Sequence, residues 1–242
     1  MFLFQVPPQT RFDLNFSILG FPIRVNPLFW VIAILFGSSS SSISGLLSWV
    51  IAIFVSILIH ELGHALAFRR YGQDSEIILH AAGGLTVPNS FSRTGSANQQ
   101  IIISLAGPFA GFFFAALIFV ISLALGGIIV PTTIFGFIPF PMVFIPIGGD
   151  ILNSFFMSLL WANIFWGFIN LMPVYPLDGG QVTRYILIQT DPVNGVRTSL
   201  GVSVIAGAAV AIAGFLFLGS IYMAILFGFL AFQSFQAMQS RY

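Results

Sequence analysis

The sequence predicts an all-α integral membrane protein of about six transmembrane helices, with a short β-hairpin element near its functional centre. Three observations predict this fold class. Of 242 residues, 57% are hydrophobic and 6% charged, whereas soluble domains carry about 25% charged residues. The mean hydropathy is +1.00, and apolar runs recur that approach the roughly 20 helical residues needed to cross a bilayer core. The eight basic residues are all arginines and fall at alternating connections. A net charge of +1 argues against nucleic acid as a partner. The lack of cysteine excludes disulfides, thiolate metal sites and cysteine nucleophiles. The whole of 1–242 reads as one polytopic membrane domain.

Residues 1–25 alternate in polarity and carry Pro and Gly, so they read as an extended segment at the membrane surface. Asp13 and Arg24 interrupt what would be the apolar core of a signal peptide. Crossing 1 starts from PLFWVIAILFG (27–37), which is too short alone; it is expected to extend into Ser38–Ser42 or to sit in locally thin bilayer. Crossings 2 to 6 are expected at about 45–69, 100–125, 151–172, 199–218 and 220–237. Arg11, Arg24, Arg69, Arg70, Arg93, Arg184, Arg197 and Arg241 then share one side. The positive-inside bias makes that side the cytoplasm, with both termini on it. Residues 126–149 are apolar but broken by Pro131, Pro139, Pro141 and Pro146, which reads as a loop over the outer face or a partial re-entry. Residues 76–87 read as strand, Gly83-Gly84, strand.

Crossing 2 contains His60-Glu61-Leu62-Gly63-His64. Residues four apart on a helix share a face, so both imidazoles can ligate one ion while Glu61 lies on the neighbouring edge. This is the H-E-x-x-H arrangement of zinc hydrolases. At ~1.5 Å per residue the pair lies roughly 14 Å inward of Arg69, inside the bilayer near its cytoplasmic side. The bland alternative is polar packing between helices, which the cost of ionisable groups in membranes disfavours. A catalytic zinc wants a third protein ligand. Asp150 is on the wrong side, and Asp74, Glu76 and Asp191 read as solvated surface charge. His80 reads as a packing residue. Asp178 follows crossing 4 in a segment broken by Pro173 and Pro176, with Gly179-Gly180 allowing a sharp turn. It is the favoured ligand, a helix cap being the alternative. Asn153 and Asn163 are expected to hydrogen-bond between helices, and Trp161 and Trp166 to pack.

HELGH together with N-x-x-P-x-x-P-L-D-G-G (170–180), SLAGP (104–108) and the Gly83-Gly84 hairpin resembles the site-2 protease family of intramembrane zinc metalloproteases, in its compact six-helix form. The resemblance implies one catalytic Zn2+ held by His60, His64 and Asp178, with Glu61 as general base. It places Asn170 beside the oxyanion or the substrate backbone. It further implies cleavage within or near the transmembrane segment of a protein substrate in the lipid bilayer. The 76–87 hairpin offers an edge to which an unwound substrate strand can pair. Two features depart from the family pattern. Gly111 stands where Asn is often found, and the PDZ and CBS domains of many members are not in these 242 residues. A transporter using the same His, Glu and Asp groups is the alternative class, and an idle, partner-binding relative is a third. The sequence carries no signal of oligomeric state.

Overall fold

The computed structural model describes residues 6–38, 42–89, 95–134, 138–146 and 149–240. The serines 39–41 expected to lengthen crossing 1, and the positions of Arg93 and Arg241, lie outside the described residues. The same holds for residues 1–5 of the N-terminal segment and for 135–137 and 147–148 of the proline-rich connection.

The element order is β1 (Leu14–Ile18), β2 (Phe21–Val25), α1 (Pro27–Gly37), α2 (Ile43–Arg70), β3 (Ser75–His80), β4 (Gly83–Pro88), α3 (Ala97–Ala124), β5 (Ile128–Ile134), β6 (Ile138–Phe144), α4 (Gly149–Asn170), α5 (Asp178–Thr190), α6 (Gly195–Leu218) and α7 (Ile221–Gln239). Among the described residues, α2, α3, α4, α6 and α7 are long and apolar enough to cross a membrane. They correspond to crossings 2 to 6. α1 is the shorter apolar helix of crossing 1; its 11 residues rise about 16 Å. The chain divides into two compact units, residues 2–93 with 106–167, and residues 94–105 with 168–242.

The first unit is built on a four-stranded sheet of order β1-β2-β3-β4. Leu19 and Gly20, both at positive φ, turn β1 into β2. β2 then pairs in parallel with β3, Ile23 opposite Ile77 and Val25 opposite Leu79. A parallel pair needs a long crossover, and here α1 and α2 supply it, leaving one side and returning to it. Asn26 caps α1 by accepting from the Leu28 N–H, with Pro27 in the first turn, where its missing N–H costs nothing. Phe21, Ile23, Val25, Ile77 and Leu79 from the sheet and Phe29, Ile57, Leu58 and Ala65 from α1 and α2 form one buried cluster. Arg24, at 6% exposure, is held by the Pro7 carbonyl and by Asp13 at 3.1 Å, with Glu76 at 3.6 Å.

Two connections differ in detail from expectation. The β3–β4 turn falls at Ala81-Ala82, since His80 pairs with Gly83, so Gly83 and Gly84 begin β4. Residues 128–144 form an antiparallel ribbon, Pro131 opposite Pro141 and Thr133 opposite Pro139. A two-stranded ribbon is all edge, so prolines fit at positions whose nitrogen has no ladder partner.

In the second unit, Gly219 at φ +58 and the cap of Ser220 on the Met223 N–H fold α6 back against α7. Gly207 packs on Ala231 and Gly214 on Met223. α5 starts at Asp178, where Gly179 and Gly180 lie so close to the backbone of Leu171–Tyr175 that no side chain fits.

Candidate metal centre

The centre sits inside α2. Its N-terminal cap is Ser42, and its last turn carries Arg69 and Arg70, cations suited to a helix C-terminus. Between them the helix is mainly apolar; beyond Ser44 and Ser48 near its start, its polar side chains are the stripe Ser56, His60, His64 and the adjoining Glu61. His60, Glu61 and His64 are 4%, 5% and 8% exposed, and their potential ligand atoms lie within 4.8 Å of one another. The two Nε2 atoms are 3.2 Å apart. A zinc ion about 2.0–2.1 Å from both would subtend them at about 100–106°, near tetrahedral. Two imidazoles with an adjacent carboxylate are donors that zinc takes, so the residues present fit the metal.

Close packing around this stripe comes from glycine. A Cβ on Gly63 would meet the Ala106 carbonyl at 2.5 Å and the Ala110 methyl at 2.8 Å, so α3 lies directly on α2. A Cβ on Gly107 of α3 would collide with the Nε2 of both histidines. On the other flank, Gly84 of β4 lies against the Glu61 side chain, where a Cβ would strike Cγ and Oε1. Two residues along the same strand face, the Thr86 hydroxyl lies 2.7 Å from Glu61 Oε2 and 3.1 Å from its backbone carbonyl. Gly83, at φ +122, lies under the Trp166 ring.

The structure therefore brings together His60, Glu61, His64 and Gly84 of the sequence-predicted residues. Asp178 and Asn170 belong to the other unit. Asp178 is half-buried in the first turn of α5, and Asn170 ends α4. Thr86 and Gly107 escaped the sequence reading. Strand alternation would have found Thr86, two residues from Gly84, whereas nothing in the sequence marks Gly107 as facing imidazoles.

The remaining polar residues have structural partners. His80 accepts from the Ala82 N–H across the β3–β4 turn. Its burial, and then the Arg24 charge, hold its imidazole below the ordinary value. Asn163 of α4 donates to Ser56 of α2 at 2.8 Å, an interhelical bond as expected. Asn153 instead pairs both amide groups with the backbone of Ile145, fixing the end of the ribbon to α4. Trp161 stacks on Phe165, and Trp166 packs on the sheet cluster.

Comparison with known proteins points the same way. Residues 48–213 match the family described as Peptidase family M50. A zinc metalloprotease of Methanocaldococcus jannaschii is 28% identical over 180 residues, which is 71% of this chain and 44% of that protein. A Mycobacterium tuberculosis protein carrying the zinc metalloprotease name is 27% identical over 156 residues, 62% of this chain and 33% of that protein. The chain thus spans less than half the length of these relatives. The solved structure of a site-2 protease from Methanocaldococcus jannaschii matches with a TM-score of 0.54 at 24% identity, covering 95% of this chain and 94% of that one. That match reports a shared fold, and the five long apolar helices fit a multi-pass integral membrane protein. With its apolar helices and its His-Glu-His cluster, the chain belongs to peptidase family M50, the site-2 protease family.

Proposed function

We propose that this protein is a zinc-dependent endopeptidase that cleaves bonds within or near transmembrane segments of other membrane proteins, working as a single membrane domain with both termini cytoplasmic. The observation that carries the reading is a buried base beside paired imidazoles, with a strand laid against it, inside an apolar helix. His60 and His64 would hold the metal, with Asp178 as third donor. When bound, zinc supplies Lewis acidity to water and to the scissile carbonyl. Glu61 takes the proton of the attacking water and delivers it to the departing amine nitrogen. Thr86 donates to one carboxylate oxygen of Glu61 and so fixes its rotamer. Asn170 donates to the developing oxyanion.

A transmembrane substrate has its amides bonded internally and must unwind before attack. β4 is an end strand of the sheet and runs past Glu61, which supports pairing of the unwound segment along its free edge. Gly84→Pro does not test this pairing cleanly, because any Cβ there strikes Glu61. A proline scan of the substrate does, with cleavage lost where a paired amide is removed. For the activity itself, the assay is purified protein in detergent with a membrane-spanning substrate. Glu61→Gln is expected to keep zinc and lose cleavage by roughly 10²-fold or more. Undiminished cleavage, or wild-type protein without zinc, refutes the reading, and metal flux into proteoliposomes without proteolysis would replace it with the transporter.

A further inference from the structure

Three glycines at the packed faces of α3 and α4 lack a Cβ for an evident steric reason. Gly107 faces the two histidines, Gly127 follows α3 against Ser122 and Val143, and Gly167 faces the Phe112 ring. Gly111 is different. It is buried one turn along α3 from Gly107, yet a Cβ there would have ordinary contacts only. Among the described residues, and apart from the nearby backbone of α3, just two atoms come within 4 Å: Asn163 Oδ1 at 3.5 Å and the Asn163 backbone oxygen at 3.6 Å. Both are acceptors.

Asn163 is 2% exposed. Its amide orientation is fixed by its own helix, because Nδ2 donates to the Leu159 carbonyl at 2.8 Å, an atom that can only accept. The second Nδ2 proton goes to Ser56 Oγ, also at 2.8 Å. Oδ1 is left buried with no hydrogen-bond partner. A buried carbonyl of this kind is rare without a donor, and the Asn163 backbone oxygen lies beside it against the same glycine.

We infer that the Gly111–Asn163 pocket binds one water molecule, which donates one proton to Asn163 Oδ1 and the other to the Asn163 backbone oxygen. Both donors of water are then matched, and the orphaned Oδ1 gains its donor. Ser56 lies one helical turn from His60 on α2, so the site is about 6 Å further into the membrane than the imidazole pair. Gly107 and Gly111 leave α3 without side chains along the stretch that runs from the pair to the site. Resting on the proposed proteolysis, which consumes one water per bond broken, this water is a reserve held on the membrane side of the metal centre.

Gly111→Ala tests the inference by the sign of its effect. In a dry pocket the added methyl makes ordinary contacts and alanine favours helix, so the melting temperature in detergent rises. In a hydrated pocket the methyl expels the water and strands Asn163 Oδ1, so the melting temperature falls. The same substitution in an Asn163→Leu background, where Oδ1 is gone, is expected to lose most of that penalty. An experimental structure near 2 Å resolution is expected to show density within hydrogen-bond distance of Oδ1 in the parent and none in Gly111→Ala. A raised melting temperature or an empty parent pocket overturns the site. For the reserve role, kcat is expected to fall several-fold in Gly111→Ala with KM and zinc content unchanged, and an unchanged kcat overturns that role. Retained cleavage by Glu61→Gln would instead overturn the proposed proteolysis and leave the melting and density results standing.

Discussion

Gly107→Ala should empty the candidate metal centre without disturbing the fold around it. A Cβ at 107 would stand 2.8 Å from His60 Nε2 and 2.5 Å from His64 Cε1, and closer still to His64 Nε2. Ordinary non-bonded contact needs about 3.5 Å, so at least one ring must retreat by about 0.7 Å or more. Metal–ligand distances tolerate about 0.2 Å, so the retreat removes a ligand rather than stretching a bond. Losing support outside the ligand shell alone typically costs 10–100-fold in affinity, and displacing a ligand should cost at least about 100-fold, or about 2.7 kcal/mol. The assay is competition for zinc against a chromophoric chelator in detergent, with far-ultraviolet circular dichroism to show that the helices persist. Alanine is a good helix former, so α3 should remain intact. Zinc affinity within tenfold of the parent, in a folded variant, would refute the reasoning, because it would mean the two Nε2 atoms do not hold the ion from the Gly107 side.

Thr86→Val removes the hydroxyl bonded to Glu61 while keeping the side-chain shape. Hydrogen bonds to charged groups contribute about 1.5–3 kcal/mol, so cleavage should fall by roughly 10–100-fold with zinc content unchanged, and Thr86→Ser should restore it. Asp178→Ala should weaken zinc binding as well as cleavage; unaltered zinc affinity would assign the third ligand elsewhere. His80 is held neutral below its ordinary value by burial, so the unfolded chain binds more protons as the solution acidifies. Its contribution to stability is therefore complete above about pH 6.5 and declines as pH falls toward the lowered folded value. His80→Asn should flatten the fall in melting temperature between pH 7 and pH 5 relative to the parent.

The crossings were legible because long apolar runs in a nearly uncharged chain have one physical outcome. The H-E-x-x-H stripe was legible because helical spacing alone puts residues 60 and 64 on one face. Short-range signals also sufficed for the strand elements at 14–25 and 75–88, where alternation is bounded by glycine. The parallel seam between β2 and β3 was not legible, since nothing local records a pairing across two intervening helices. The ribbon at 128–144 was hidden by its own prolines, which oppose strand in a wide sheet but not in one made only of edges. At the centre, the Gly-Gly pair marked Gly84 but not its contact with Glu61, and Gly107, which matters by touching the imidazoles, carries no side chain for a pattern to register.

Because β2 joins β3 across residues 26–74, the N-terminal hairpin leaves the ribosome long before its neighbour exists. At about 5–20 residues per second, the interval is about 2–10 s, during which two hydrophobic segments must be handed to the translocation machinery. Throughout that wait the outer rim of β2 offers unsatisfied amides to any passing strand. Arg24, later enclosed by Asp13 and Glu76, is a charge on that rim while it is still bare. A residue that ends its life as an internal tie thus begins it as a guard against premature partners.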